Sequence, residues 1–467
     1  MNAEYQRLEA EASEVARQTR DLATTVELSS ASGHAKFEQQ IASLGRKLAS
    51  LHHGMALLRA SNSPEMRQRE REFAKALPKK FHSQGMREKI IHLPGGVTVT
   101  LSVTYYHRCQ CPQKAVKNGR RGLFPMLMLL GIAGHFTPQM RKRMAKAAAL
   151  LGSYEEAVEM LEEEGLVVSV NQLRDVAAGM GRMLQRLTSQ GSLAVAGNAS
   201  GRRIAVSMDG GRVRLRERRR GKTKKGRKRF TPAWREPRLF IIYAVDDEGR
   251  MTDDFPPVID GSLGSCDQFF ALLLAYLRGL NLTVATRLLI VADGAAWIWR
   301  RVPGLLKSLG LKNDQVQQLI DFWHAVEYLS KIAESKSLTG ARKTYWLKIQ
   351  KKRLLRGEIG TVVEELESLI GSRPTKTQKT WLNYFITHGL THRRMDYSLS
   401  RNHHMPIGSG AIESAIRRVI NMRVKSNAVY WIRDNAETII RLRAWIKAGR
   451  AEELFHYTTY VTPTLAL

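Results

Sequence analysis

Three acidic residues stand where carboxylates can be brought together. Asp209 ends the apolar run RIAVSMD, Arg203–Asp209, and is followed by Gly210 and Gly211. Asp293 ends a second run, RLLIVAD, Arg287–Asp293, again before a glycine. Glu413 lies in GSGAIESAIRRV, where Ile412, Ile416, Val419 and Ile420 recur at helical spacing. Short apolar runs bounded by turn residues read as buried strands. Two strands ending on acids, with a helix presenting a third acid, are the parts of an oxygen-donor pocket for hard divalent cations. Two Mg²⁺ (or Mn²⁺) ions in such a pocket clamp the attacking and leaving oxygens of phosphoryl transfer. Three ordinary surface acids are the competing reading. That reading does not account for two acids that each close a strongly apolar strand before glycine.

Asp321 closes the last short strand, Val316–Ile320, and Asp321-x-x-His324 opens the helical segment DFWHAVEYL. At this spacing both groups sit at one helix start. They can act beside the metals, or they can be a capping Asp with a buried His. Asp246, Asp247, Asp253, Asp254 and Asp260 fall in or after turns and are read as solvated.

The rest of the chain is basic. The formal net charge is +31 over 467 residues, which points to nucleic acid as the partner. From Arg212 to Arg229 there are twelve Lys or Arg and one Glu. This stretch reads as a loop between strands that can lie along a phosphate backbone. Arg212 and Arg214 at its start, and Arg417, Arg418, Arg423 and Lys425 after Glu413, are the expected DNA contacts. Simple helix charge pairing is the alternative for Arg417.

The elements that must position these groups fall into seven segments. Residues 1–84 read as a helical hairpin or coiled coil. Phe37, Ile41, Leu44, Leu48, Leu51, Met55 and Leu58 form a heptad seam that either packs within the chain or makes a dimer contact. Residues 85–136 read as a small hairpin, KIIHL-PGG-VTVTLSVTYY, leading into His107, Cys109 and Cys111. Zn²⁺ at Cys109 and Cys111 is not expected, because Cys-x-Cys lacks a second pair even if His107 or His135 contributes. Residues 137–198 read as helix-turn-helix-like, with Ser169 and Gln172 as a capping box. Asn171, Gln172 and Arg174 stand where DNA contacts would come from. Residues 199–324 carry strands at 204–208, 212–215, 238–245, 287–293 and 316–320, with Gly210-Gly211 as a tight reversal and helices at 266–280 and 297–307. This is the order of an α/β, RNase H-like core. If its first strand lies beside its fourth, Asp209 and Asp293 emerge side by side. Residues 325–402 read as a helical insertion, 403–450 as the final helices of the core, and 451–467 as a C-terminal tail.

SMDGG, VADGAAWIW, DFWHAVEYL and IGSGAIESAIRRVINMRVKSN together resemble a bacterial insertion-sequence DDE transposase, closest to the ISKra type and related to the Mutator-like group. The resemblance spans roughly residues 85–450. It implies an RNase H-like core, Asp209, Asp293 and Glu413 as the metal-binding triad, and Asp321-x-x-His324 as the acid-x-x-His motif. It also implies an all-helical insertion between the second and third triad members. The expected activity is metal-dependent DNA strand cleavage and strand transfer. The expected partners are double-stranded DNA, as transposon ends and target, and further copies of this chain in a dimer or larger synaptic assembly. An aromatic near the second Asp can stack on a flipped base in related enzymes. Trp297 and Trp299 are nevertheless read as core, the commoner fate of a tryptophan on a helix flanking a sheet.

Three cysteines cannot build a disulfide framework, and no apolar run is long enough for a membrane span. The N-terminus lacks the apolar core of a signal peptide. A soluble, cytoplasmic, nucleoid-associated bacterial protein is expected. A nuclease or resolvase that cuts without joining, and a basic DNA-binding protein with a silent site, are the alternatives.

Overall fold

The computed structural model describes residues 3–77, 80–108, 122–189, 197–223, 226, 228–311, 313–426 and 429–459. Cys109 and Cys111, with the zinc question attached to them, lie outside these residues. The chain divides into two compact units, residues 1–186 with 452–467, and residues 187–451. Among the described residues no helix is long and apolar enough to cross a membrane.

The first unit begins with helices α1 (Ala3–Thr25), α2 (Ala31–Asn62) and α3 (Pro64–Ala76). Strands β1 (Phe81–His92) and β2 (Thr98–Arg108) form an antiparallel hairpin around Pro94–Gly96, and β3 (Gly122–Leu123) joins its edge. The C-terminal part of the heptad seam packs within the chain, in a core that leaves Phe37 and Ile41 outside. Leu51, Met55 and Leu58 of α2 share one core with Leu8, Ala12 and Val15 of α1 and with Ile91, Val99 and Leu101 of the hairpin. Short helices α4 (Pro125–Leu129), α5 (Pro138–Leu150), α6 (Tyr154–Glu163) and α7 (Val170–Ser189) follow. The capping box before α7 is formed reciprocally. The Gln172 amide N–H donates to Ser169 Oγ at 3.2 Å, and the Ser169 N–H donates to Gln172 Oε1 at 2.8 Å. Asn171 and Arg174 bond each other at 2.8 Å. The residues expected as a tail contain helix α18 (Ala451–Thr459), which belongs to this unit.

The second unit is built on a mixed five-stranded sheet. Its strands are β4 (Arg203–Gly210), β7 (Arg238–Val245), β8 (Val258–Ser262), β9 (Arg287–Ala292) and β10 (Val316–Ile320). The spatial order is β10-β9-β4-β7-β8. Strand β4 runs parallel to β9 and antiparallel to β7, β9 runs parallel to β10, and β7 runs antiparallel to β8. Numbered along the chain the order is 5-4-1-2-3, so the first sheet strand lies beside the fourth. Helices α8 (Cys266–Gly279), α9 (Ala296–Trp299) and α10 (Val302–Leu309) fill the connections around β9. Helices α11 (Phe322–Ser335), α12 (Gly340–Leu355), α13 (Ile359–Ile370), α14 (Lys376–Phe385) and α15 (Tyr397–Asn402) follow β10. Helices α16 (Gly410–Ile416) and α17 (Arg433–Lys447) then complete the unit.

Three expectations change here. The strand at 212–215 is not in the sheet. It opens β5 (Val213–Lys222), which pairs with β6 (Lys228–Arg235) as a separate antiparallel ribbon. The basic stretch is therefore largely a ribbon, because cross-strand partners give its backbone groups a ladder. Gly210 and Gly211 are not a tight reversal either. Neither has positive φ, and the chain passes through them from β4 into β5. The third sheet strand is β8, and Asp260 on it is fully buried, not solvated. Arg441 of α17 accounts for this. Its Nε and Nη2 reach Asp260 at 3.1 and 2.8 Å, and Tyr276 Oη donates to the same carboxylate at 2.7 Å. A buried carboxylate is tolerable when its oxygens are paired in this way.

Candidate active site

The parallel half of the sheet sets the site. Met208 of β4 pairs with Ala292 of β9, and Ala292 pairs with Ile320 of β10. The next residue on each strand is an acid, so Asp209, Asp293 and Asp321 leave three neighbouring strand ends at one level. Side chains at equivalent positions of parallel strands point to the same face. The apolar sequences of β4 and β9, buried on both faces, and the pairing of β10 along β9 hold the three acids in register.

Each acid is fixed differently. Asp209 Oδ1 accepts from the Gly210 N–H at 2.6 Å. Asp293 Oδ1 accepts from Ala295 N–H at 2.9 Å, and its carbonyl accepts from Trp299 Nε1 at 2.5 Å. Asp321 is fully buried and caps α11, accepting from His324 N–H at 2.8 Å. Its other oxygen accepts from the Ser409 N–H, directly before α16. Phe322 N–H also donates to Ile407 carbonyl at 3.0 Å. Asp321 therefore ties the start of the helix carrying Glu413 to the end of β10.

That tie brings Glu413 into the cluster. Among the described residues, Asp321, His324 and Glu413 each offer a ligand atom within 4.8 Å of the other two. Asp209 senses Asp293 and Glu413 as like charges and His324 as an opposite one. Burial, with the repulsion of Asp293 and Glu413, pushes the Asp209 carboxyl up to about 6. The Asp321 carboxylate beside His324 raises the imidazole to about 9, against burial and with help from Asp293. Burial works to raise Asp321, but the donors on His324 and Ser409 bring it down to about 2. His324 is thus a cation at neutral pH, at the rim of a crowded anionic site, and Asp321 has both oxygens committed to protein donors.

The glycines after Asp209 and Asp293 serve close approach. A Cβ on Gly211 would lie 2.6 Å from Ile420 Cδ1, on the turn following Glu413. A Cβ on Gly294 would lie 2.2 Å from Tyr384 Cε2 of α14. Tyr384 is itself stacked on Tyr328 at a 4.2 Å ring separation. Sequence reasoning marks these glycines but not what presses on them, because Ile420 and Tyr384 lie far along the chain. The turn carrying Ile420, Arg417–Asn421, is a π-turn continuing α16, a local widening often found at functional sites.

The expected DNA contacts separate. Arg212, Arg417 and Lys425 are exposed. Arg214 is half-buried, stacked over Trp234 and Tyr430 at 5.0 and 5.4 Å, and donates to Ser426 carbonyl. Arg418 reaches the Ser414 and Lys447 carbonyls. Arg423 is 5% exposed, with its guanidinium 5.0 Å from the Trp431 ring. It packs the unit's interior and does not face solvent. Trp299 is buried, and Trp297 is half-buried, edge-on against Phe269 and Phe270 with the Arg238 guanidinium 5.1 Å from its ring.

No protein-family model matches the chain, and no curated protein matches it by sequence. Among solved structures it is similar to the Drosophila P element transposase strand transfer complex, at 11% identity and a TM-score of 0.25, over 68% of this chain and 80% of that chain. A likeness at this level does not establish a shared fold.

Proposed function

We propose that the second unit is an RNase H-like core and that the chain is a DDE transposase, cleaving and joining DNA with divalent metal. What supports this reading is that Asp209 and Asp293 leave adjacent parallel strand ends next to Asp321, that Glu413 offers a ligand atom within 4.8 Å of Asp321 and His324, and that Asp209 is raised to about 6 with Asp293 and Glu413 among its like-charged neighbours. A carboxylate that burial, and then its acidic neighbours, make reluctant to ionise lacks compensating positive charge, and a divalent cation supplies it. Asp209 and Asp293 each keep one oxygen without a hydrogen-bond partner among the described residues, and Glu413 keeps both. These three suit metal ligation. Asp321 and the cationic His324 suit it less, since their donors and acceptors face each other.

Bound Mg²⁺ or Mn²⁺ would activate water or a 3′-hydroxyl and offset charge on the phosphate. Asp209, Asp293 and Glu413 would hold it. Asp321 positions Glu413 through Ser409 and keeps His324 protonated. His324 is then placed to donate to a phosphate oxygen of the DNA. Arg212, Arg417 and Lys425 would neutralise flanking phosphates, and a dimer or larger assembly would pair two element ends.

The test is a strand-transfer assay with pre-cleaved ends of the element encoding this chain. Joined product that requires Mg²⁺ and disappears in Asp209→Ala, Asp293→Ala and Glu413→Ala supports transposition. Metal-dependent cleavage without joining identifies a nuclease instead. DNA binding with neither reaction in the wild-type chain means that the site is silent.

A further inference from the structure

The β5–β6 ribbon has two unlike faces. Its register pairs Arg214 with Trp234, Arg216 with Pro232 and Arg218 with Phe230. Side chains alternate along a strand, so these six residues share one face. The opposite face carries Val213 and Leu215, which are buried, and the Glu217–Arg235 ion pair. The ribbon's only acid is therefore neutralised on the other side. On the first face three arginines stand at alternate positions, each opposite a flat apolar side chain. Trp234 is 53% exposed and Phe230 41%. Arg214 and Arg216 already stack on this surface, over Trp234 and Phe230 at 5.0 and 5.1 Å. Tyr430 extends it, 5.8 Å from Phe230.

Burying large aromatics is the ordinary outcome of folding, so two on one face beside guanidiniums mark a surface meant to be covered. The guanidiniums require an anionic occupant, and the rings a flat one. Nucleotides meet both needs, with phosphates for Arg216 and Arg218 and bases for the rings. The ribbon is also fixed relative to the site. It leaves β4 one residue after Gly211, and it is pinned by Trp431, whose backbone bonds Arg214 and Arg216 at 2.9 and 2.7 Å. Arg214, opposite Trp234, is five residues beyond Asp209, a reach of at most ~17 Å. That is roughly five nucleotide steps at about 3.4 Å each.

Resting on the proposal that DNA is the substrate, we infer that this face stacks unpaired bases within a few nucleotides of the scissile phosphate. Trp234 is the inner platform and Phe230 the outer one. The ribbon would hold the strand opened near the cut, while Arg216 and Arg218 track its backbone.

The test compares binding of the full chain to fully paired duplex and to a forked duplex carrying 2-aminopurine in the fork. Wild type is expected to prefer the fork and to quench the 2-aminopurine. Trp234→Ala is expected to lose ~5- to 100-fold on forked DNA, the range of one base–aromatic stack, and to bind paired duplex as before. Trp234→Phe should keep both the preference and the quenching. Because Trp234 is exposed, folding of the variant is not at stake. Equal wild-type affinity for the two DNAs, or a preference unchanged in Trp234→Ala and in Trp234→Ala/Phe230→Ala, overturns the inference. Failure of the wild-type chain to bind either DNA would instead sink the proposed function itself.

Discussion

Removing a charge from the site should make the metal-free protein more stable. A carboxyl whose pKa rises from 3.8 to about 6 on folding binds its proton more tightly in the native state. At ~1.4 kcal/mol per tenfold change in affinity, this amounts to about 3 kcal/mol as an upper figure. The sign follows from the proton count. Between pH 4 and 6 the folded state holds more protons than the unfolded one, so this residue's contribution falls as pH rises and stays low above pH 6. Asp209→Asn keeps an oxygen for the Gly210 N–H and carries no charge. At pH 8 without divalent metal it should gain about 1–3 kcal/mol, or roughly 2–6 °C in Tm for a unit of this size. At pH 4.5, where folded Asp209 is protonated but the unfolded carboxyl is still largely ionised, the gain should fall to roughly a third of its pH 8 value. Mg²⁺ should reverse the ranking. Wild type gains ~2.7 kcal/mol when the ion is at a hundred times its Kd, whereas the variant gains little. Thermal or urea unfolding at the two pH values, with and without Mg²⁺, reads all four conditions. If Asp209→Asn is no more stable at pH 8, or is stabilised equally at pH 4.5, the buried charge of Asp209 is not a source of strain and the metal argument built on it fails.

Three further outcomes follow from the packing around the site. Gly294→Ala forces a Cβ against Tyr384; it should cost about 1–3 kcal/mol by overpacking, seen as a lower urea midpoint, and should reduce metal-dependent cleavage because Asp293 is the preceding residue. His324→Ala removes a cation whose pKa is raised to about 9, a contribution fully present below pH 6.5 and lost as pH rises through 9. With the side chain 36% exposed, the difference from wild type should be about 1–2 kcal/mol at pH 6 after allowing for solvent screening, and near zero at pH 10. Asp260→Ala strands the buried Arg441 guanidinium and should cost ~3–5 kcal/mol in unfolding, while Asp260→Leu/Arg441→Met should recover much of that loss.

What was legible in the sequence depended on where each residue's partners lie. Strands β4 and β9 were readable because their burial is written in their own apolar runs, and the acid closing each run marks the strand end; β10, VQQLI, carries less of that signal but also ends before an acid. Strand β8 was not. Val258–Ser262 is short and contains Asp260 and Gly261, a composition that reads as a turn, and only Arg441 and Tyr276 make that carboxylate tolerable inside. The ribbon reads only at its start. Val213 and Leu215 supply the apolar half of an alternation with Arg214 and Arg216, but from Arg218 the run turns to consecutive basic residues that read as a loop, and their ladder partners lie on β6. At the site, Asp321-x-x-His324 was open between a cap and a chemical role. The structure gives it the cap, and the same carboxylate reaches Ser409 before the helix of Glu413. The capping bond is local and could be inferred from spacing, whereas the bond to Ser409 is set by tertiary contact. A residue that looks like a helix start in one dimension thereby becomes the link holding the third carboxylate near the first two. Replacing Asp321 should consequently displace Glu413 before it disturbs α11.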